Sequence, residues 1–98
     1  MNMLAEALRL LRVLHDLKSS ELADMLGISP SYLSEIESGK KEPTLALIRK
    51  FADVFKTTPG SLLFFSEELD KEREGKNPKA TIRKKAIQFL QGIENAQQ

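Results

Sequence analysis

The run Ser19-Ser20-Glu21-Leu22-Ala23-Asp24-Met25-Leu26-Gly27-Ile28-Ser29-Pro30-Ser31-Tyr32-Leu33-Ser34-Glu35-Ile36-Glu37-Ser38 decides the reading of this chain. Leu22, Ala23 and Leu26 recur at helical spacing and predict a short helix with one buried side. Ser19 and Ser20 are the residue types that cap such a helix. Gly27 follows at once, where a left-handed residue closes the helix without a Cβ penalty. Ser29-Pro30 then supplies the N-cap and first residue of another short helix, because proline's missing N–H has no partner to lose there. Leu33 and Ile36 anchor that helix inward, and it stops at Gly39. Ala23 is small where the two helices approach, and Ile28 plugs the turn between them.

The same spacing leaves Pro30, Ser31, Tyr32, Ser34 and Glu35 pointing away from the domain. A helix N-terminus presented outward in this way suits a DNA major groove, roughly 12 Å wide.

Working outward, helical patterns surround this unit and almost no strand is read. Leu4, Ala7, Leu8, Leu11 and Leu14 make a first helix within residues 3–16. Leu10, Val13 and Leu14 widen its apolar surface beyond one stripe. After the loop Lys40-Lys41-Glu42-Pro43, Thr44 caps a helix whose core side is Leu47, Ile48, Phe51, Ala52 and Phe55. Thr58-Pro59 repeats the cap-then-proline signal for a helix containing Leu62, Leu63 and Phe65. The charged stretch Ser66–Glu74 either prolongs that helix or frays. Gly75-Lys76-Asn77-Pro78 punctuates strongly, and beyond it Ile82, Ala86, Phe89 and Ile93 share one helical face flanked by Leu90.

Composition removes most other classes. Ninety-eight residues make one domain with a short appendage, and the 41% apolar and 30% charged fractions are ordinary for a soluble chain. With no cysteine and only one histidine, His15, neither thiol chemistry nor a histidine-based metal cluster is available. The Gly39-Lys40 pair lacks the other residues of a phosphate-binding loop, and no nucleophile–base arrangement can be nominated. The expectation is a protein that is not an enzyme and needs no cofactor or metal. No apolar run approaches the ~18 residues that cross a bilayer, and no signal-peptide pattern opens the chain; a cytoplasmic location is expected. Residues 1–65 carry eight charges of each sign, residues 66–74 two basic and five acidic, and residues 75–98 five basic and one acidic. The expected organisation is a domain at 1–66, a charged hinge at 67–78 and an amphipathic helix at 79–94.

Taken together, Ser20 to Ser29, Tyr32 to Lys40, Pro43-Thr44-Leu45 and the Phe51 to Leu63 stretch resemble the phage repressor/Cro family, also called the xenobiotic-response-element family. The resemblance covers roughly residues 7–65. It implies an all-α, compact five-helix domain like that of lambda repressor, here with an additional C-terminal helix, that binds double-stranded operator DNA as a dimer. It also implies that Ser29, Ser31, Tyr32, Ser34 and Glu35 face bases or nearby phosphates, while Ser38, Lys40, Lys41 and the helix start at Thr44 hold the backbone. Arg12 and Glu37 occupy positions where several members form an ion pair, a structural role. Two departures narrow the reading surface. Ser19 stands where many members carry a longer, phosphate-contacting glutamine, and Pro30 stands where a long polar side chain is common. Discrimination then leans on Tyr32, Glu35 and DNA shape. Each has an ordinary counter-reading: Glu35 as a solvated carboxylate that repels phosphate, Tyr32 as a residue half-buried beside the turn, Lys40 and Lys41 as a wet loop.

The tail's apolar stripe needs a cover: its own domain, the same element of a second subunit, or another protein such as a toxin neutralised by an antitoxin of this family. The four apolar residues Leu62 to Phe65 exceed what one helix face buries. Leu63, Phe64, Phe65, Ile82, Phe89, Leu90 and Ile93 are therefore expected at a dimer or partner interface, with a homodimer preferred. The expected function is a dimeric repressor or autoregulator, with an antitoxin or adaptor as the alternative.

Overall fold

The computed structural model describes residues 3–73 together with Ile87, Leu90 and Gln91. These residues are all-α: α1 (Met3–Leu14), α2 (Ser19–Leu26), α3 (Pro30–Glu37), α4 (Leu45–Val54) and α5 (Pro59–Arg73). Each helix sends one apolar stripe to a shared core. Leu8, Leu11, Leu22, Leu26, Leu33, Ile36, Phe51, Phe55, Leu62 and Leu69 are fully buried there. Helix α1 lies chiefly against α5 and also meets α3, α2 packs on α3 and α4, and α4 closes onto α5. The short pair α2–α3 is thereby gripped from both sides, which keeps α3 fixed while its outer face stays open.

The helix ends explain how so short a chain turns so often. At three of them a residue two or three positions beyond the helix bonds back across six residues and its predecessor across four, the arrangement that satisfies orphan carbonyls. At α2 these are Ile28 N–H to Ala23 and Gly27 N–H to Asp24, at 3.0 and 3.1 Å. At α1 they are Leu17 to Arg12 and Asp16 to Val13, and at α4 Thr57 to Ala52 and Lys56 to Asp53. The pivot residue is left-handed in each, with φ of 71° at Gly27, 54° at Asp16 and 58° at Lys56. Only the first is a glycine. A Cβ at Gly27 would meet nothing within 4 Å, so the preference for glycine there comes from the backbone torsion and not from crowding.

This permits a stability test. Lys56 is exposed and left-handed, so Lys56→Gly removes Cβ strain and should raise stability by about 0.5–1 kcal/mol. Lys50→Gly, inside α4, should lower it by about 1 kcal/mol. Thermal melts of the two variants should move in opposite directions.

Several sequence expectations shift. Leu14, read as a core residue, is 41% exposed, because the chain reverses at Asp16 and Leu17 folds back onto the core in its place. The N-cap of α2 is Lys18, not a serine. Ser19 is the first helical residue, and the Glu21 carboxylate accepts from the Lys18 N–H at 2.9 Å, the returning half of a capping box. Ser29 and Thr44 do cap α3 and α4, accepting from Tyr32 and Leu47 N–H. Helix α5 runs unbroken through residue 66, and Leu69 within the charged stretch is fully buried. Of the four consecutive apolar residues, Leu62 and Phe65 turn inward while Leu63 and Phe64 remain 41% and 63% exposed. Phe65 thus belongs to the core cluster and not to the surface offered to a partner. Leu90 is half-buried; Ile82, Phe89 and Ile93 lie outside the described residues.

Candidate nucleic-acid interface

The outward side of α2–Gly27–α3 is built by residues whose neighbours in sequence are buried. Leu33 and Ile36 are sealed in the core, so the intervening Ser34 and Glu35, and Ser31 one turn before Glu35, face outward. Ser31 and Ser34 are exposed, Glu35 less so, and Tyr32 is half-buried with its ring packed on the core edge. Ser31 and Glu35 lie one turn apart on the same face.

The hydroxyls on this side are not equivalent. Ser29 and Thr44 accept backbone N–H bonds at 3.1 Å, which leaves each O–H proton free to donate to a phosphate oxygen. The Ser38 hydroxyl instead donates to the Glu35 carbonyl at 3.2 Å, so in this rotamer it has no proton to offer an anion. Ser19 is half-buried in the first turn of α2.

Helix α3 is fixed at its far end by α1. Arg12 Nε donates to both Glu37 carboxylate oxygens, at 2.8 and 3.1 Å, and an Arg12 Nη donates to the Leu17 carbonyl at 2.9 Å. The side chains of the pair are only 17% and 9% exposed. One guanidinium therefore joins α1, the turn after it and the end of α3, a use of the planar fork that lysine could not match. His15, given no role by its sequence context, donates from Nδ1 to the Leu11 carbonyl and packs its ring, tilted by 36°, against Phe55 at 4.9 Å, centroid to centroid.

Beyond Gly39, whose φ is 83°, the chain doubles back along α3. The Lys41 N–H donates to the Glu35 carbonyl at 3.1 Å. Its ammonium sits 3.3 Å from a Glu35 carboxylate oxygen and 5.8 Å from the centre of the Tyr32 ring. Lys40 is exposed beside it. The structure thus gathers Ser29, Ser31, Tyr32, Ser34, Glu35, Ser38, Lys40, Lys41 and Thr44 on α3 and the loop that follows it. The grouping of Lys41 with Glu35 and Tyr32 escapes sequence reading. Its one written sign is opposite charge six residues apart across a glycine.

Comparison with known proteins agrees with this architecture. A family model described as helix-turn-helix matches residues 8–62, more than half of the chain. A relative in Archaeoglobus fulgidus, described as an uncharacterized HTH-type transcriptional regulator, is 48% identical over 46 residues. That match takes in 47% of this chain but only 20% of the relative, so the chain corresponds to a small part of that longer protein. No solved structure matches. The class defined by fold and site is an all-α module built for DNA. The chain belongs to the helix-turn-helix family, of the phage repressor/Cro type. No described helix is long and apolar enough to cross a membrane.

Proposed function

We propose that this chain is a sequence-specific DNA-binding regulator of transcription that acts in the cytoplasm, as a homodimeric repressor or autoregulator, without a cofactor. The observation that carries the reading is α3 itself. It is gripped by α2 and clamped to α1 through Arg12 and Glu37, yet its hydroxyl-bearing face is left open beside Lys40 and Lys41. Such a helix enters the major groove with its N-terminal half, and phosphate contacts from the following loop set its register. Ser31, Tyr32, Ser34 and Glu35 meet base edges or flanking phosphates. Ser19, Ser29, Ser38, Lys40, Lys41 and Thr44 serve the backbone, with Ser38 turning its hydroxyl to do so.

Two copies place their reading helices one DNA turn apart, roughly 34–36 Å. Leu63 and Phe64 on α5, exposed at 41% and 63%, supply apolar surface for the second copy, and residues 79–94 add to it. Genomic-fragment selection with purified protein tests the function. A recovered two-fold symmetric sequence supports it, and no enrichment of any sequence counts against it. Substituting Ser31 or Tyr32 should change preference among variants of the recovered site.

Deleting residues 76–98 should weaken dimerisation and with it operator affinity, since one half-site binds poorly alone. Sedimentation of full-length and truncated protein at micromolar concentration is the check. A full-length chain that stays monomeric there argues for the alternative, an antitoxin or adaptor whose C-terminal segment takes a toxin-like protein.

A further inference from the structure

We propose that Glu35 sets the specificity of this surface by holding Lys41 off the phosphates until a base-edge donor takes the Glu35 carboxylate; this rests on the DNA-binding reading above. The loop is tied to α3 by the backbone bond from Lys41 N–H to the Glu35 carbonyl, 3.1 Å long. The backbones of the two residues are therefore held side by side, within reach of each other's side chains. In the free protein the Lys41 ammonium lies between a carboxylate oxygen at 3.3 Å and the Tyr32 ring, 5.8 Å to its centre. Both partners stand on the face that meets DNA. The Lys41 side chain is also 57% exposed, so it is held loosely enough to leave, as exposed ion pairs are.

DNA of arbitrary sequence offers the carboxylate mostly acceptors. Each base pair presents two acceptors in the major groove and one amino donor, adenine N6 or cytosine N4, and the phosphates are anionic, so a carboxylate held at one place meets a donor only where the sequence puts it there. Where an acceptor stands opposite, Glu35 keeps Lys41, so each protomer arrives with one cation fewer for the backbone. A site that places a cytosine N4 amino group opposite Glu35 reverses both terms. The carboxylate accepts from N4, Lys41 is released, and its ammonium moves to a phosphate and displaces a counterion. Correct sequence is rewarded twice through one side chain. This lets a reading surface without Arg, Asn or Gln discriminate more than its few hydroxyls allow. Lys40, exposed and outside the pair, provides the contact common to all DNA.

The test uses the full-length chain, its Glu35→Gln and Lys41→Ala variants and their combination. Each is titrated over a salt series against a duplex of arbitrary sequence and one recovered by genomic-fragment selection. Glutamine keeps the shape of Glu35 but cannot hold the ammonium by charge. Glu35→Gln should tighten binding to the arbitrary duplex by roughly threefold to tenfold and steepen its salt slope by about 0.9 per protomer. The selected duplex should gain nothing, so the specificity ratio falls by the same factor. With Lys41→Ala already present, Glu35→Gln should no longer steepen the slope, and most of the gain should vanish. An undiminished gain without Lys41 means that Glu35 merely repels phosphate, and overturns the proposal. So does the absence of any gain in Glu35→Gln. A wild-type chain that binds neither duplex overturns the DNA-binding reading itself, and the proposal with it.

Discussion

Glu37→Ala is expected to lower stability by about 2–4 kcal/mol, near the range for breaking a buried pair from one side. The side chains of Arg12 and Glu37 are only 17% and 9% exposed, so removing the carboxylate strands a guanidinium with little water around it. For a domain of this size that corresponds to a thermal midpoint roughly 10–20 °C lower. Glu42→Ala is the control, because Glu42 is exposed and its loss should change the midpoint little. Arg12→Ala should cost a comparable amount and also orphan the Leu17 carbonyl. The double variant should lose much less than the two single losses combined, since both remove one interaction. Equal midpoints for Glu37→Ala and Glu42→Ala would show that the pair does not hold α3 to α1.

The contrast between these two glutamates shows what can be read from residues alone. Nothing local marks Glu37 over Glu42, since its partner lies 25 residues away and periodicity has no reach at that distance. Resemblance to a family placed Arg12 and Glu37 together; physics then explains why the contact matters. Local chemistry was legible elsewhere. Ser29-Pro30 and Thr44 announce caps through hydroxyls and a missing N–H, and Gly27 announces a left-handed turn, as the structure shows. The left-handed turns at Asp16 and Lys56 were not legible: lysine carries no preference for positive φ, and aspartate, though enriched there, takes up ordinary torsions at most of its positions. The hidden turn at Asp16 is what moved Leu14 outward and the cap of α2 back to Lys18.

Helix α5 was half legible for a related reason. Leu62, Phe65 and Leu69 are spaced to share one face, and all three are buried. In the sequence, however, Leu69 sits among Glu67, Glu68, Asp70 and Lys71, and that charge masks a single apolar residue. The four consecutive apolar residues Leu62 to Phe65 then read as a surplus for one helix face, and Leu69, the residue that shows Phe65 to lie on the buried side, goes unread. At the reading surface the positions were visible as those left over by Leu33 and Ile36. The coupling among Tyr32, Glu35 and Lys41 was not, because it depends on how tightly the chain doubles back after Gly39.

Replacing Lys40 and Lys41 together by Ala should weaken operator binding by roughly tenfold or more at low salt, because each ammonium that reaches a phosphate releases a counterion. The salt slope reveals more than the affinity. With both lysines on phosphates in the operator complex, the slope should become shallower by about 1.8 per protomer. On DNA of arbitrary sequence the change should be only about 0.9, since there Lys41 remains with Glu35 at 3.3 Å. Folding is not at stake, as both residues are exposed, so the thermal midpoint of the double variant should match that of the parent. Titrations at several salt concentrations on both kinds of duplex separate the outcomes. Unchanged affinity and slope would mean that the loop after α3 points away from the backbone. Helix α3 would then have to enter the groove in some other orientation, with Ser31 and Tyr32 no longer over the bases.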